Sequence, residues 1–130
     1  MDKSSKLHCF RYIGSSMYPT LRPLDILQCE LCRIRETVPG DIIIFINLRS
    51  QQNIVHRVIA RKTEGLVTRG DNRNLPDEIL TTDGNLIGKV IFANRGKKKV
   101  RIYNGFPGLL FASFIQTGMS LVHKLKRRRR

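Results

Sequence analysis

The sequence predicts a mainly β domain of the barrel or sandwich kind, followed by a C-terminal amphipathic helix. Short runs rich in Val, Ile and Phe recur between positions 25 and 103, separated by Gly, Pro, Asn and Asp, which is the pattern of strands and turns. Residues 102–122 carry no charge, yet their polar side chains fall at helical spacing. A chain of 130 residues and 15.0 kDa makes one ordinary domain, which hides about two thirds of its unfolded surface.

Six strands are expected, over residues 25–31, 41–47, 53–62, 65–69, 86–94 and 99–103. Pro39-Gly40 and Asn94-Arg95-Gly96 supply turns, and residues 49–53 make a polar hairpin loop between two strongly apolar strands. In the last quarter, Ser113, Gln116, Thr117 and Ser120 form one polar helical stripe opposite Leu110, Phe111, Phe114, Ile115, Met119 and Val122, and Pro107 suits a first helical turn. With the basic residues 124–130 behind it, this helix reads as lying in a membrane interface, its cations on anionic headgroups. Two other readings compete: a terminal helix docked on the domain, and a short span whose polar stripe is costly in lipid. The division is thus 1–104 for the β domain and 105–130 for the helix and basic tail.

Lys and Arg number 24 against 10 Asp and Glu, a formal charge of +14. Eleven of those cations lie in two blocks: Arg95, Lys97, Lys98, Lys99 and Arg101, then Lys124, Lys126 and the four arginines 127–130. Removing the eleven from +14 leaves +3, so the body is nearly balanced and the excess is local. Such blocks suit an anionic membrane surface or a nucleic-acid backbone. The 3 cysteines cannot all pair within one chain, which argues against a secreted disulfide framework. Cys29 and Cys32 form half of a zinc motif, with only His8, His56 and His123 to complete it, so free thiols and no metal are expected. The polar, charged N-terminal stretch, residues 1–9, predicts no cleavable export signal.

Three segments carry side chains suited to chemistry. Gly14-Ser15-Ser16-Met17-Tyr18-Pro19-Thr20-Leu21 places serines beside a proline-fixed turn, although serines there are usually solvated or capping residues. Ile54-Val55-His56-Arg57-Val58-Ile59 sets a histidine in an apolar strand, with Arg57 on the opposite face. A histidine there is most often a satisfied core residue, but its charge also changes nearest neutrality. The loop from Gly70 to Glu78 offers Asp71 and Asp77 as carboxylates able to orient such a histidine. A serine hydroxyl needs a positioned base during attack, and the base needs a third group to fix its tautomer.

In order along the chain, Ser16-Met17-Tyr18-Pro19-Thr20-Leu21, Gly40-Asp41-Ile42-Ile43-Ile44-Phe45, Val55-His56-Arg57-Val58 and Arg69-Gly70-Asp71-Asn72, with Asp77 following, resemble the signal peptidase family of serine endopeptidases (type I signal peptidase). The match runs from Gly14 to about Ala93, and His56 places it with the endoplasmic-reticulum and archaeal branch, since the bacterial branch has a lysine there. The resemblance implies Ser16 as nucleophile, His56 as general base and Asp77 as orienting carboxylate. Asp71 is the rival for that third role, or a residue that shapes the site, and Met17 and Ile54 are implied as walls of the substrate pocket. The substrate is then a signal or leader-like peptide of a preprotein, laid extended beside an edge strand and cut after small residues, with no metal or organic cofactor. Two departures stand out. Gly14 occupies the place of a serine that commonly helps to hold the oxyanion, leaving the Ser16 N–H and Ser15 to serve. The N-terminal membrane anchor usual in the family has no counterpart here, so the C-terminal helix is expected to replace it, or the substrate is met in the cytosol. The expected location is therefore membrane-associated, on a side the sequence leaves open, with the cytoplasm as the alternative. Competing functions are a basic β domain that binds nucleic acid, disfavoured by few aromatic residues, and a peptide-binding relative that has lost catalysis.

Overall fold

The structure is a computed structural model and describes residues 6–128. Seven strands and one long helix follow in the order β1 (Leu7–Arg11), β2 (Ile26–Leu31), β3 (Ile42–Ile46), β4 (Asn53–Lys62), β5 (Gly65–Arg69), β6 (Leu86–Arg95), β7 (Lys98–Arg101) and α1 (Gly105–Arg128), with a 3-10 turn at Ile34–Glu36. The domain is mainly β with a C-terminal helix, as expected, but its strands form one antiparallel sheet that does not close. The order is β1-β2-β6-β3-β4-β5, and β6 is the hub. One edge of β6 pairs with β2, while the other is shared between β3 near Gly88 and β7 near Ala93.

The sheet buries apolar side chains on both faces, which explains the unbroken Ile42-Ile43-Ile44-Phe45 run of β3. Ile42, Ile44 and Val55 join Leu27, Val90 and Met17 in the larger core, and Ile43, Phe45 and Val58 join Leu66 in a smaller one on the opposite face. Strand β1 was not expected from the sequence. Among the described residues it is an outer strand paired only with β2, its residues alternating between exposed and half-buried, so it has little need of apolar residues.

The first half of α1 docks on the body through small residues. A side chain at Gly108 would lie 2.5 Å from Arg57 Nη1 and 2.6 Å from the Gly40 carbonyl, so only glycine permits this approach. Gly40 itself has φ +104°, and a Cβ there would overlap the Gly105 backbone. Ala112 is buried, Phe111 stacks obliquely on Tyr103, and Gln116 donates from Nε2 to the Asp71 and Arg73 carbonyls at 2.8 and 2.7 Å. Gln116 of the expected polar stripe thus faces the protein, while Phe106, Leu110, Phe114, Leu121 and Leu125 are exposed. Among the described residues, no helix is long and apolar enough to cross a membrane. Arg129 and Arg130 of the basic tail lie outside the described residues, as do the side chains of Met119, Ser120, Val122, His123 and Lys126–Arg128.

Candidate active site

Strand β4 positions the first member of the site. Its pairing with β5 begins at Arg57 and continues to Lys62, whereas β3 pairs with it from Asn53 to Arg57. Among the described residues the edge away from β3 is therefore free from Asn53 to His56, and His56 stands at the point where β5 would otherwise continue. The His56 side chain leaves on the Phe45 face and contacts the Phe45 ring edge-on at 6.1 Å between centroids.

Two loops bring partners to the two nitrogens of His56. Nε2 lies 3.0 Å from Ser16 Oγ, and Nδ1 lies 2.5 Å from Asp77 Oδ2. The same Asp77 oxygen accepts the Thr68 hydroxyl at 2.6 Å, and the Asp77 N–H donates to the Thr68 carbonyl at 2.8 Å, so β5 fixes the carboxylate through both backbone and side chain. Burial would push the Asp77 carboxyl up, but the hydrogen bonds from His56 and Thr68, with Arg73 nearby, outweigh it and hold the group below the usual carboxylate range. Asp77 is thus an anion at neutral pH, suited to accept a proton-bearing Nδ1 and leave Nε2 free to take a proton from Ser16.

Ser16 is held by contacts to backbone. The Gly70 turn approaches so closely that a Cβ there would lie 2.6 Å from the Ser16 carbonyl oxygen, and that oxygen accepts the Asn72 N–H at 2.8 Å. The Tyr12 hydroxyl accepts the Met17 N–H at 2.9 Å and lies 3.5 Å from Ser16 Oγ. With the Met17 N–H engaged, the Ser16 N–H is the neighbouring backbone donor for a developing oxyanion. Ser15 is exposed, and its carbonyl accepts the Tyr18 N–H at 3.1 Å.

Asp71 lies elsewhere in the network. Its carboxylate receives Arg57 Nε and Nη2, each at 2.9 Å, and the Thr20 hydroxyl at 2.5 Å, all buried. It therefore ties the serine loop to β4 and does not contact His56. Met17, expected at a pocket wall, is fully buried in the core and accepts the Asp71 N–H on its sulfur at 3.3 Å. Ile54 does line the site, and it contributes to two cavities. One of about 500 Å³ includes Tyr12, Ile13, Ser16, Ile44 and Val55, and one of about 250 Å³ includes Phe45, Leu48, His56, Glu78 and Ile79.

Comparison with protein-family models, with curated proteins and with solved structures finds no match to this chain. What the site can do is therefore argued from its own geometry.

Four contributors were not assigned to the site from the sequence: Tyr12, Thr20, Thr68 and Gln116. Thr20 and Gln116 stood there only within a motif and a helical stripe, and their partners lie far along the chain, whereas Tyr12 acts on Ser16 and Met17 four and five residues away but no residue pattern marks it. Arg57 carried a usable signal. Alternation placed a guanidinium on the buried face of a central strand, and a buried cation requires an anion. Cys29 and Cys32 are free thiols, pushed up by burial to about 12 and about 11, so neither is a ready thiolate ligand.

Proposed function

We propose that this chain is a serine endopeptidase of the signal-peptidase type, cutting an extended peptide with Ser16, His56 and Asp77. The observation that supports it best is the continuous relay at a free strand edge: Ser16 Oγ to His56 Nε2 at 3.0 Å and His56 Nδ1 to Asp77 Oδ2 at 2.5 Å. Three segments distant in sequence supply it in the order of roles that serine chemistry requires.

In this reading the peptide pairs with the free edge of β4, and Ser16 Oγ attacks the scissile carbonyl carbon as its proton passes to His56 Nε2. The tetrahedral oxyanion takes hydrogen bonds from the Ser16 N–H and the Tyr12 hydroxyl, the latter in place of the side chain that Gly14 lacks. The C–N bond then breaks as His56 returns the proton to the leaving amine. A water, deprotonated by the same Nε2, releases the acyl half and restores Ser16. Asp77 holds the imidazole in the required tautomer throughout and accepts no proton.

The partner of the exposed helix is, in the same proposal, an anionic membrane surface, with preproteins as substrates. A nucleic-acid role is weakened at the basic hairpin, where Lys99 Nζ sits 4.2 Å from the centre of the Phe92 ring and Arg101 lies over Tyr103 at 5.4 Å. Each ring already carries a cation over one face, which reduces the aromatic surface on which a base could stack.

The test is cleavage of a panel of signal-peptide substrates, with serine-directed active-site labelling and mass spectrometry. Wild-type protein should cut and be labelled on Ser16, whereas Ser16→Ala should lose both with its fold unchanged. Binding without cleavage by the wild type would make the chain a peptide-binding protein, and labelling on Ser15 would reassign the nucleophile.

A further inference from the structure

We infer that Gln116 of α1 is a positioning residue for the Ser16 nucleophile and the Tyr12 hydroxyl, acting through two peptide groups of the loops between them. This rests on the peptidase reading and brings α1 into the support of the site. A primary amide carries two N–H bonds, and both of those on Gln116 are used: Nε2 donates to the Asp71 carbonyl at 2.8 Å and to the Arg73 carbonyl at 2.7 Å. The two carbonyls lie on either side of Asn72. The Asn72 N–H in turn donates to the Ser16 carbonyl at 2.8 Å, and its Nδ2 donates to the Ser15 carbonyl at 3.3 Å. One side chain of the helix thus fastens the residue that fastens the serine segment.

The Asp71 carbonyl and the Asn72 N–H belong to one planar peptide group, and across a trans peptide they point in opposite directions. Gln116 therefore holds one side of that plane and Ser16 the other. The Ser16 carbonyl shares the next such group with the Met17 N–H, which donates to the Tyr12 hydroxyl at 2.9 Å. The series runs from Gln116 through the 71–72 and 16–17 peptide groups to the Tyr12 oxygen, 3.5 Å from Ser16 Oγ. Every bond in it donates in the same direction, so each polarises the next. Because the Tyr12 oxygen accepts, its own hydrogen is left to donate to an oxyanion. Arg57 and Thr20 bond only the Asp71 carboxylate, which leaves the tilt of the following peptide plane to the bonds that plane makes itself. Loss of the Gln116 donor removes one of the two, and the tilt that follows moves the Ser16 carbonyl and, with it, the approach of Oγ to His56.

The test compares Gln116→Met and Gln116→Glu, which keep a side chain of similar length without a donor, with Gln116→Lys, which keeps donors on a flexible stem. On the full chain, kcat and KM for a soluble signal-peptide substrate are measured with the rate of serine-directed labelling and the unfolding temperature. The first two variants should lose about 10- to 100-fold in kcat, the scale of an ångström-sized misplacement, with KM nearly constant. Labelling of Ser16 should slow in parallel, and Gln116→Lys should recover most of both losses. Where Gln116→Met does not fold, the contrast between Gln116→Glu and Gln116→Lys decides the question in the same way. A kcat that is unchanged, that falls equally in all three variants, or that only follows the unfolding temperature would reduce Gln116 to a helix-docking contact, as would a loss confined to KM, while the peptidase reading stands. If wild-type protein neither cuts nor is labelled, both fall.

Discussion

Arg57 and His56 adjoin in β4 and leave it on opposite faces, Arg57 to close a two-pronged bond on Asp71 and His56 to meet Asp77. The two carboxylates of one loop are thereby divided between a buried ion pair and the histidine. Asp77→Asn should lower kcat by about 10³- to 10⁴-fold with little change in unfolding temperature, because an amide favours the wrong imidazole tautomer. Asp71→Asn leaves the Arg57 guanidinium buried with a neutral partner and should cost about 3 kcal/mol of stability, the scale of a broken buried pair. Thermal unfolding alongside kinetics separates the two, and the reverse pattern would exchange their roles.

Tyr12→Phe tests the oxyanion arrangement. The substitution removes the hydroxyl that accepts the Met17 N–H and lies 3.5 Å from Ser16 Oγ. A donor to the oxyanion acts in the transition state, so kcat should fall about 10²-fold with KM nearly constant. An unchanged kcat with a lower unfolding temperature would restrict Tyr12 to supporting the loop.

The strands and the site were legible in the sequence to different degrees. Asn53–Lys62 and Gly65–Arg69 stand at the expected bounds, because polar turns frame apolar runs. Leu7–Arg11 escaped notice because an outer strand with one neighbour shows no strong pattern. Barrel closure was not legible, since it depends on pairing between distant edges. Ser16, His56 and Asp77 were marked as candidates by residue type and by family resemblance, and the structure brings them within hydrogen-bonding distance. Met17 could not be placed from sequence, because its neighbour Ser16 reaches the surface while Met17 turns into the core. For helix α1 the sequence showed a polar stripe opposite an apolar one but not which of them meets the body; Gly108 and Ala112 let it approach, and Gln116 of the polar stripe satisfies loop carbonyls there.

Acid stability should depend on Asp25. Burial pushes its carboxyl up, but the Arg95 fork and the Arg22 N–H outweigh burial and hold it below its ordinary 3.8. A carboxyl lowered by folding contributes stability that is complete above its unfolded value and is lost as pH falls through the folded value. Asp25→Asn should therefore unfold several degrees lower at pH 7, about 3–6 °C for roughly 1 kcal/mol, and the gap to wild type should close as the pH falls below 3.8 and through the lowered folded value. Unfolding temperature measured across that range checks it, and a constant gap would assign the loss to packing alone.

Thiol reactivity should follow burial. Cys29 and Cys32 are pushed up to about 12 and about 11, and Cys9 is exposed. Alkylation of folded protein at about pH 8 should label Cys9 rapidly and the other two at least tenfold more slowly, because the thiolate is the nucleophile. In urea all three should react. Rapid labelling of Cys32 in the folded protein would mean that its loop opens.

Phe106, Leu110, Phe114, Leu121 and Leu125 are 71%, 49%, 76%, 56% and 59% exposed, although the opposite side of α1 is anchored to the body. At 100° per residue these five fall within an arc of about 100°, and the basic tail follows directly. Burial of two large apolar side chains in a lipid interface contributes about 3 kcal/mol, and each nearby cation adds about 1 kcal/mol on an anionic surface before screening. Phe114→Glu with Leu121→Glu should therefore weaken binding to vesicles of either composition by about 100-fold. Replacing the four terminal arginines with glutamine should weaken binding to anionic vesicles only, and more so at low salt. Because Phe114 and Leu121 point away from the body, cleavage of a short soluble peptide should be retained in both variants while cleavage of a membrane-inserted preprotein falls. Vesicle binding that ignores the apolar pair but follows the arginines would reduce the contact to electrostatics. Binding unaffected by either change would remove the membrane from the proposal and leave α1 as a docked helix alone.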